Sequence, residues 1–250
     1  MQRGGLQGYI LRRLIYAVLI TFGVVTITFI LLRLGPTSPA DRYLANMSAR
    51  TQNPAQITAA IEARYGLDKP LWQQYGGYVL NLFRGDWGWS FGTSMPVMAL
   101  IERHWIYSFQ LILLSLIFSA ILGILIGLYS AVRQYTKLDY LATLFSFIGI
   151  SVPNFWLGIM LILLFSVQLG WFKSYYDTSL AVFSLANLKA LVLPVITLGT
   201  GMMAGYTRYT RAAVLDNLRM DFVKTARAKG LPERLVIGKH VLRNAILPIV

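Results

Sequence analysis

Few side chains in this 250-residue chain are of the kinds that carry out chemistry. It has two histidines, His104 and His240, and no cysteine, so a thiol nucleophile and a cysteine metal site are excluded. Residues 238–240 (GKH) resemble the end of a phosphate-binding loop, but the first glycine is missing and histidine replaces Ser or Thr. The sequence also lacks HExxH, GxSxG and paired carboxylates within apolar segments. We therefore expect no catalytic residue, no metal site and no nucleotide hydrolysis by this chain.

The most polar position deep in an apolar stretch is Asn154, which follows Pro153. Proline frees backbone groups, and within a membrane these must be satisfied by neighbouring helices or a water-filled cavity. Two roles for Asn154 are open: its amide bonds to the freed backbone, or it lines a solute pathway together with Ser151. No acidic or basic residue lies well inside a predicted span, which disfavours a pump built on buried carboxylates.

A basic segment begins at Arg219 and is patterned as two helices. Gly230 readily adopts the left-handed backbone conformation that ends a helix. Pro232 and Glu233 are typical first residues of a second helix. The spacing i, i+3, i+7, i+8, i+11 predicts one apolar stripe on a single helix before that stop, made by Leu215, Leu218, Phe222, Val223 and Ala226. Two interpretations remain: a cationic helix lying on anionic lipid, or a surface that a soluble partner grips.

The composition indicates an integral membrane protein. The chain is 56% hydrophobic and 13% charged, with mean hydropathy +0.57, whereas soluble domains carry about 25% charged residues. Four spans are predicted over residues 14–32, 106–132, 141–169 and 190–206, and a fifth begins near residue 245. A cleaved signal peptide at the first span is disfavoured, because its apolar run exceeds the usual ~7–15 residues and no A-x-A site follows. Gly123 and Gly127 predict a close helix approach in the second span.

The positive charges sort by side of the membrane. The total charge is +13. Three segments expected on one side of the membrane carry most of it: +3 in the N-terminal segment 1–13, +1 in the loop after the second span and +6 in the tail from Arg208. The two loops expected on the other side carry only +2 and +1. The positive-inside rule therefore places the N terminus and the tail in the cytoplasm. The charge is explained by topology, so we expect the lipid bilayer and not nucleic acid as the partner.

The loop 33–105 is predicted to lie outside. It has a capped short helix over residues 55–65, an amphipathic aromatic stretch over 70–83 and a turn with two tryptophans at 85–89. Tryptophan and tyrosine favour the headgroup level of a bilayer. The loop is either an interfacial cap or a surface on which an external partner docks.

Residues in the tail and along the chain carry a family resemblance. Thr225, Ala226, Arg227, Gly230 and Leu242 resemble the EAA loop of binding-protein-dependent ABC importer permeases. The letters depart from that pattern at four positions: Thr225 replaces Glu, Arg227 replaces the second Ala, His240 replaces Ile and Arg243 replaces Pro. The dipeptide/oligopeptide-type permeases of the first-subunit kind are a closer match. The similar stretches are 9–14 (YILRRL), 65–71 (YGLDKPL), 85–88 (GDWG), 151–155 (SVPNF) and 222–231 (FVKTARAKGL).

The resemblance implies an all-α, polytopic helical bundle of the type I ABC importer permease kind in the prokaryotic inner membrane. It implies a permease core over residues 106–250, with a cytoplasmic coupling loop over 215–243 that contacts an ATPase through Phe222, Thr225, Ala226, Arg227 and Gly230. The partners are then a homologous second permease, two cytoplasmic ABC ATPases that bind ATP and Mg²⁺, and an external solute-binding protein. The chain itself binds no cofactor. The family has six spans, whereas this chain ends inside the predicted fifth.

The expected function is transmission of ATPase motion to a translocation pathway, with peptides as the expected cargo and nickel chelates or oligosaccharides as alternatives. A membrane-embedded enzyme is the alternative from another class, and it lacks paired acid and base residues. A scaffold that only recruits ATPases is a third hypothesis. The Pro- and Gly-broken third and fourth spans favour a moving pathway over such a passive anchor.

Overall fold

The computed structural model describes residues 6–35, 69–90 and 95–246, and the single positions 59, 62, 63, 66, 92 and 93. The helices are α1 (Leu6–Leu34), α2 (Leu71–Phe83), α3 (Val97–Val132), α4 (Lys137–Ser151), α5 (Asn154–Leu161), α6 (Leu185–Leu218), α7 (Asp221–Ala228), α8 (Glu233–Leu235) and α9 (Leu242–Ile246). Two π-helical stretches, Ile162–Gln168 and Val236–Val241, continue α5 and α8. The chain divides into two compact units, Met1–His104 and Trp105–Val250.

In the first unit, α2 packs on the long apolar helix α1 through aromatic rings. Tyr75 shares a 2.6 Å hydrogen bond with Thr26 and packs edge-on against Phe29, at 5.3 Å between ring centroids. Tyr78 contacts the same Phe29 ring at 5.6 Å. The amphipathic stretch predicted from the sequence is thus a helix, and Pro70 stands at its N-cap.

A two-stranded hairpin follows, in which Trp89–Ser90 pairs antiparallel with Met95–Pro96. Gly88 before it has φ +79° and donates its N–H to Asp86 Oδ1 at 3.0 Å, so the predicted turn is present. The predicted helix over 55–65 falls almost wholly outside the described residues.

In the second unit, α3 and α6 approach closely along a line of small residues. Between residues 115 and 131 of α3, every fourth residue is small and buried, namely Ser115, Ser119, Gly123, Gly127 and Ala131. A Cβ on Gly123 would lie 2.5 Å from Tyr206 Cβ, and one on Gly127 would lie 2.6 Å from the Thr207 carbonyl oxygen. The close approach predicted for Gly123 and Gly127 is therefore confirmed.

The third apolar segment is bent. The chain turns by 103° between α4 and the α5 stretch, at Val152 and Pro153, where the sequence predicted an interruption. α4 packs on α6 at this end, because Gly149 lies where a Cβ would contact Ala204 at 3.2 Å. Among the described residues, α1, α3 and α6 are long and apolar enough to cross a membrane, and the bent pair adds a fourth if it forms one span.

Helix bounds differ from the sequence-based spans in ways that hydropathy explains. α3 begins nine residues before the predicted 106, and α6 extends beyond 190–206 on both sides. Glu102, Arg103 and His104 are good or neutral helix formers, so polarity marks the end of an apolar stretch without ending the helix. The predicted start of a fifth span near 245 coincides with α9, and residues 247–250 lie outside the described part.

Candidate functional site

The predicted stripe from Leu215 to Ala226 is divided between two helices, so the expectation of one continuous helix is wrong. α6 ends at Leu218, and Met220 is the extended N-cap of α7. Arg219 and Met220 bond back to Asp216 and Asn217 at 3.3 and 3.1 Å. The sequence contains no glycine or proline at this turn between α6 and α7, so it gives no local signal that the helix ends there.

The eight-residue helix α7 has one buried face. Its Val223 and Ala226 side chains enter a cluster of small aliphatic residues contributed by the ends of α3 and α6 and by the chain after α7, namely Ala131, Val214, Val236, Val241 and Ala245. Leu215 and Leu218 pack at its edge. Burial of apolar surface on four different segments holds α7 against the ends of the two long helices.

The opposite face of α7 is open. Phe222 is 39% exposed, and Thr225 is exposed while its hydroxyl donates to the Asp221 carbonyl at 2.9 Å. Lys224 pairs with Asp221 at 2.9 Å. Of the five residues predicted to meet an ATPase, Phe222, Thr225, Arg227 and Gly230 therefore share the outer surface, and Ala226 lies inside.

α7 ends in a Schellman motif, as the glycine predicted. Gly230 has φ +75°, its N–H bonds to the Arg227 carbonyl at 2.9 Å, and the Leu231 N–H bonds to the Ala226 carbonyl at 3.3 Å. A Cβ on Gly230 would meet nothing within 4 Å, so the backbone angle and not space selects glycine here. Pro232 then stands at the N-cap of α8, which confirms the predicted helix start.

An ion pair closes this turn. Arg227 donates from Nη2 and Nε to the two carboxylate oxygens of Glu233, at 2.6 and 3.2 Å. This hydrogen bonding raises the pKa of Arg227 and lowers the pKa of Glu233. Both side chains are about half exposed, at 45% and 54%, so the pair contributes little to stability. Its effect is to orient the Arg227 guanidinium across the turn.

The proposed pathway residues lie elsewhere. Ser151 and Asn154 flank the bend between α4 and α5 and are exposed. Within the described part of the chain the Asn154 side chain makes no hydrogen bond, and the Pro153 carbonyl accepts from the Leu157 N–H at 3.0 Å. The role of bonding the freed backbone is therefore not observed for Asn154. The bend packs near Gly201, about 20 Å along α6 from Val214.

A buried ionic cluster beside the α7 core was not predicted. The Asp139 carboxylate on α4 accepts two hydrogen bonds from Arg211 on α6, at 2.9 and 3.0 Å, and one from Ser130 on α3. The Tyr135 N–H adds a fourth at 3.0 Å. Sequence reading counted Asp139 and Arg211 only as topological charges. The sole available signal was an acidic residue in the first turn of a helix capped by Thr136.

The chain is similar in sequence to known membrane transport proteins over most of its length. The sequence profile of the family described as binding-protein-dependent transport system inner membrane component matches residues 123–250, and the profile of its N-terminal region matches residues 6–111. The oligopeptide transport system permease protein AppB of Bacillus subtilis is 38% identical over 98% of this chain and 77% of its own length.

Two further relatives show the same coverage. The dipeptide transport system permease protein DppB of Alkalihalophilus pseudofirmus is 34% identical over 96% of this chain and 77% of the relative. The glutathione transport system permease protein GsiC of Escherichia coli K12 is 34% identical over 97% of this chain and 75% of the relative. The family profile over residues 123–250 covers all the residues of the cluster around α7 and of the ionic cluster.

Proposed function

Because this chain belongs to the family of binding-protein-dependent transport system inner membrane components, we propose that α7 is the coupling helix that joins it to a cytoplasmic ATPase. Membership makes the chain a multi-pass permease subunit of a bacterial inner membrane and not an enzyme. Permease subunits of this kind bind no cofactor themselves. The membrane-enzyme hypothesis is thereby set aside.

The two-faced burial of α7 is the observation that carries the proposal. Val223 and Ala226 fix the helix to the ends of α3 and α6, while Phe222 and Thr225 remain on a free surface. A partner that seats against this surface moves α7, and packed interiors pass displacement on because they are dense and hard to deform. A large, partly exposed aromatic side chain such as Phe222 is the usual kind of anchor at a protein interface.

The proposed assembly contains this chain, a homologous second permease, two ABC ATPases that bind ATP and Mg²⁺, and an external solute-binding protein. ATP binding closes the ATPases, and each coupling helix biases its permease between two conformations. The proposal also places Ser151 and Asn154 on the solute pathway, supported by their exposure at the bend of the third apolar segment.

Peptides are the proposed cargo. The relatives named above are permeases for oligopeptides, dipeptides and glutathione, which share amide bonds and free amino and carboxyl groups. The charge distribution and apolar helices of this chain do not themselves select among solutes, so the choice falls to the external binding protein.

Replacement of Phe222 by Asn tests the coupling role. The variant keeps the buried face of α7 intact, so membrane yield should match that of the parent. Loss of the exposed ring should lower co-purification with the ATPase subunits and ATP-driven peptide uptake in proteoliposomes, by about tenfold or more for an interface anchor.

Tyr135→Asn is the matched control. Tyr135 is an aromatic residue, 79% exposed, in the turn between α3 and α4, and its φ of +60° suits asparagine. This variant should retain both association and uptake. Retention of parental ATPase association by the Phe222 variant as well would remove α7 from the contact.

A further inference from the structure

The Asp139–Arg211 ion pair joins three helices at one point. The two parallel hydrogen bonds of the guanidinium come from α6, and the Ser130 hydroxyl donates from α3 to the same carboxylate. The Asp139 side chain is only 4% exposed and that of Arg211 is 31% exposed. A bidentate pair with additional donors satisfies the carboxylate and fixes its direction as well as its position.

This ion pair is continuous with the core around α7. Ala131, next to Ser130 on α3, is a member of the cluster that receives Val223 and Ala226. Val214, one turn beyond Arg211 on α6, is another member. Displacement of α7 therefore reaches the residues that hold Asp139 through fully buried side chains.

Apart from this ion pair, α4 is held to α6 by close packing of small side chains. In the part of the chain that the structure describes, Asp139 makes the only side-chain hydrogen bonds that connect α4 with another helix. An open apolar groove of about 740 Å³ separates α4 from α3 beyond this point, lined among others by Leu125, Tyr129, Phe145 and Thr207. At its far end α4 meets α6 at Gly149 and then turns by 103° into α5.

From this geometry we propose that the Asp139–Arg211 pair is the linkage through which movement of α7 is passed to α4 and its bent continuation α5. The proposal rests on the coupling role of α7. It assigns Asp139 and Arg211 as positioning residues, since neither lies on the exposed face of α7. A buried ion pair often adds little net stability over apolar replacements, but it fixes which elements move together.

Removal of both charges of the Asp139–Arg211 pair distinguishes a role in transmitting movement from a role in folding. Asp139→Asn or Arg211→Gln alone leaves one charge without its partner, so both single variants should lose membrane yield. The double variant Asp139→Asn/Arg211→Gln removes both charges, and its yield and ATPase association should recover. Peptide uptake per ATP hydrolysed, measured in proteoliposomes that contain the whole complex, should nevertheless stay at least about fivefold below that of the parent.

The matched control is Lys173→Gln/Asp177→Asn, which also removes one positive and one negative charge, but from a more exposed pair 3.8 Å apart outside the α7 region. It should leave uptake per ATP unchanged. A double variant of the Asp139 pair with parental uptake per ATP overturns this proposal alone. A parent complex that neither co-purifies with ATPases nor takes up peptide overturns the coupling role of α7 itself.

A second measurement does not depend on altering the pair. The chain has no cysteine, so one spin label can be placed at Tyr140→Cys on α4 and one at Ala228→Cys on α7, both exposed. If the pair links these helices, the distance between the labels is the same without nucleotide and with trapped ATP. A nucleotide-dependent shift of that distance in the otherwise unaltered complex would overturn the linkage.

Discussion

The two ends of the α3–α6 pair are held by different chemistry. Away from α7, Gln110 donates to Asn187 Oδ1 at 2.5 Å, and Asn187 donates to the Tyr176 hydroxyl at 2.5 Å. These groups are neutral, and they connect the two helices only to the segment that precedes α6. Beside α7, a carboxylate and a guanidinium connect the same two helices to α4.

We infer from this difference that the neutral end of the α3–α6 pair is a fixed scaffold and that the end beside α7 takes part in the proposed movement. A neutral amide network with a single geometry holds a fixed connection. An ion pair that binds a third helix, α4, defines which element follows the other two. Substitutions that weaken one end of the α3–α6 pair should therefore differ in effect from matched substitutions at the other end.

The largest effect is expected for Gly127→Val. A Cβ at this position would lie 2.6 Å from the Thr207 carbonyl oxygen and 2.8 Å from Thr210 Cβ, so α3 and α6 must separate beside the ionic cluster. The backbone cannot move aside as a side chain can. The loss in free energy of unfolding should therefore reach or exceed the upper part of the ~1–3 kcal/mol range for overpacking. Membrane yield and thermal unfolding of the solubilised complex measure it.

Gly199→Val is the counterpart towards the neutral end. Its added Cβ would meet the Phe118 ring at 2.6 Å, and a ring can rotate away, so the expected loss is smaller. Gly205→Val, where nothing lies within 4 Å, controls for a β-branched residue in a helix. A Gly127 variant as stable as the Gly205 variant would contradict the close packing of α3 on α6.

A second contrast compares removal of one partner at each end. Asp139→Ala leaves Arg211 without its carboxylate, and breaking such a pair costs about 3 kcal/mol or more when buried, somewhat less here because Arg211 is 31% exposed. Gln110→Leu should cost about 1 kcal/mol. The loss of stability in Gln110→Leu is small because Gln110 Oε1 already lacks a hydrogen-bond partner among the described residues. The thermal unfolding midpoints of the two variants show which substitution destabilises the protein more. Equal decreases of the midpoint would mean that the charged pair does not make the α7 end more stable than the neutral end.

The sequence predicted the parts of this fold that depend on local chemistry. The Gly123–Gly127 approach, the bend at Pro153 and the turn at Gly230 follow from residues whose backbone preferences act over one or two turns. The same period of four extends to Ser115, Ser119 and Ala131, so the full contact line of α3 was also readable.

Other features depend on distant partners. The corner at Met220 was missed because the apolar period continues across it without Gly or Pro. Asp139 and Arg211 are 72 residues apart, and each alone is typical of a loop or helix end near the membrane surface. Only the packing of α4 on α6 brings them together, and one sequence does not contain that information.

The smallest effect is expected at the Arg227–Glu233 pair, which tests whether burial rather than charge distinguishes the α7 end. The Arg227 hydrogen bonds lower the pKa of Glu233, so the pair contributes stability above the ordinary carboxyl pKa of about 4.3 and loses it as pH falls through the lower folded-state value. Because both groups are half exposed, Glu233→Gln should lower stability by less than about 1 kcal/mol at pH 7. The difference from the parent should shrink as the pH falls below about 4. Thermal unfolding from pH 7 to 3.5 measures this, and a loss of stability as large as that of Asp139→Ala would show that burial does not distinguish the two ion pairs.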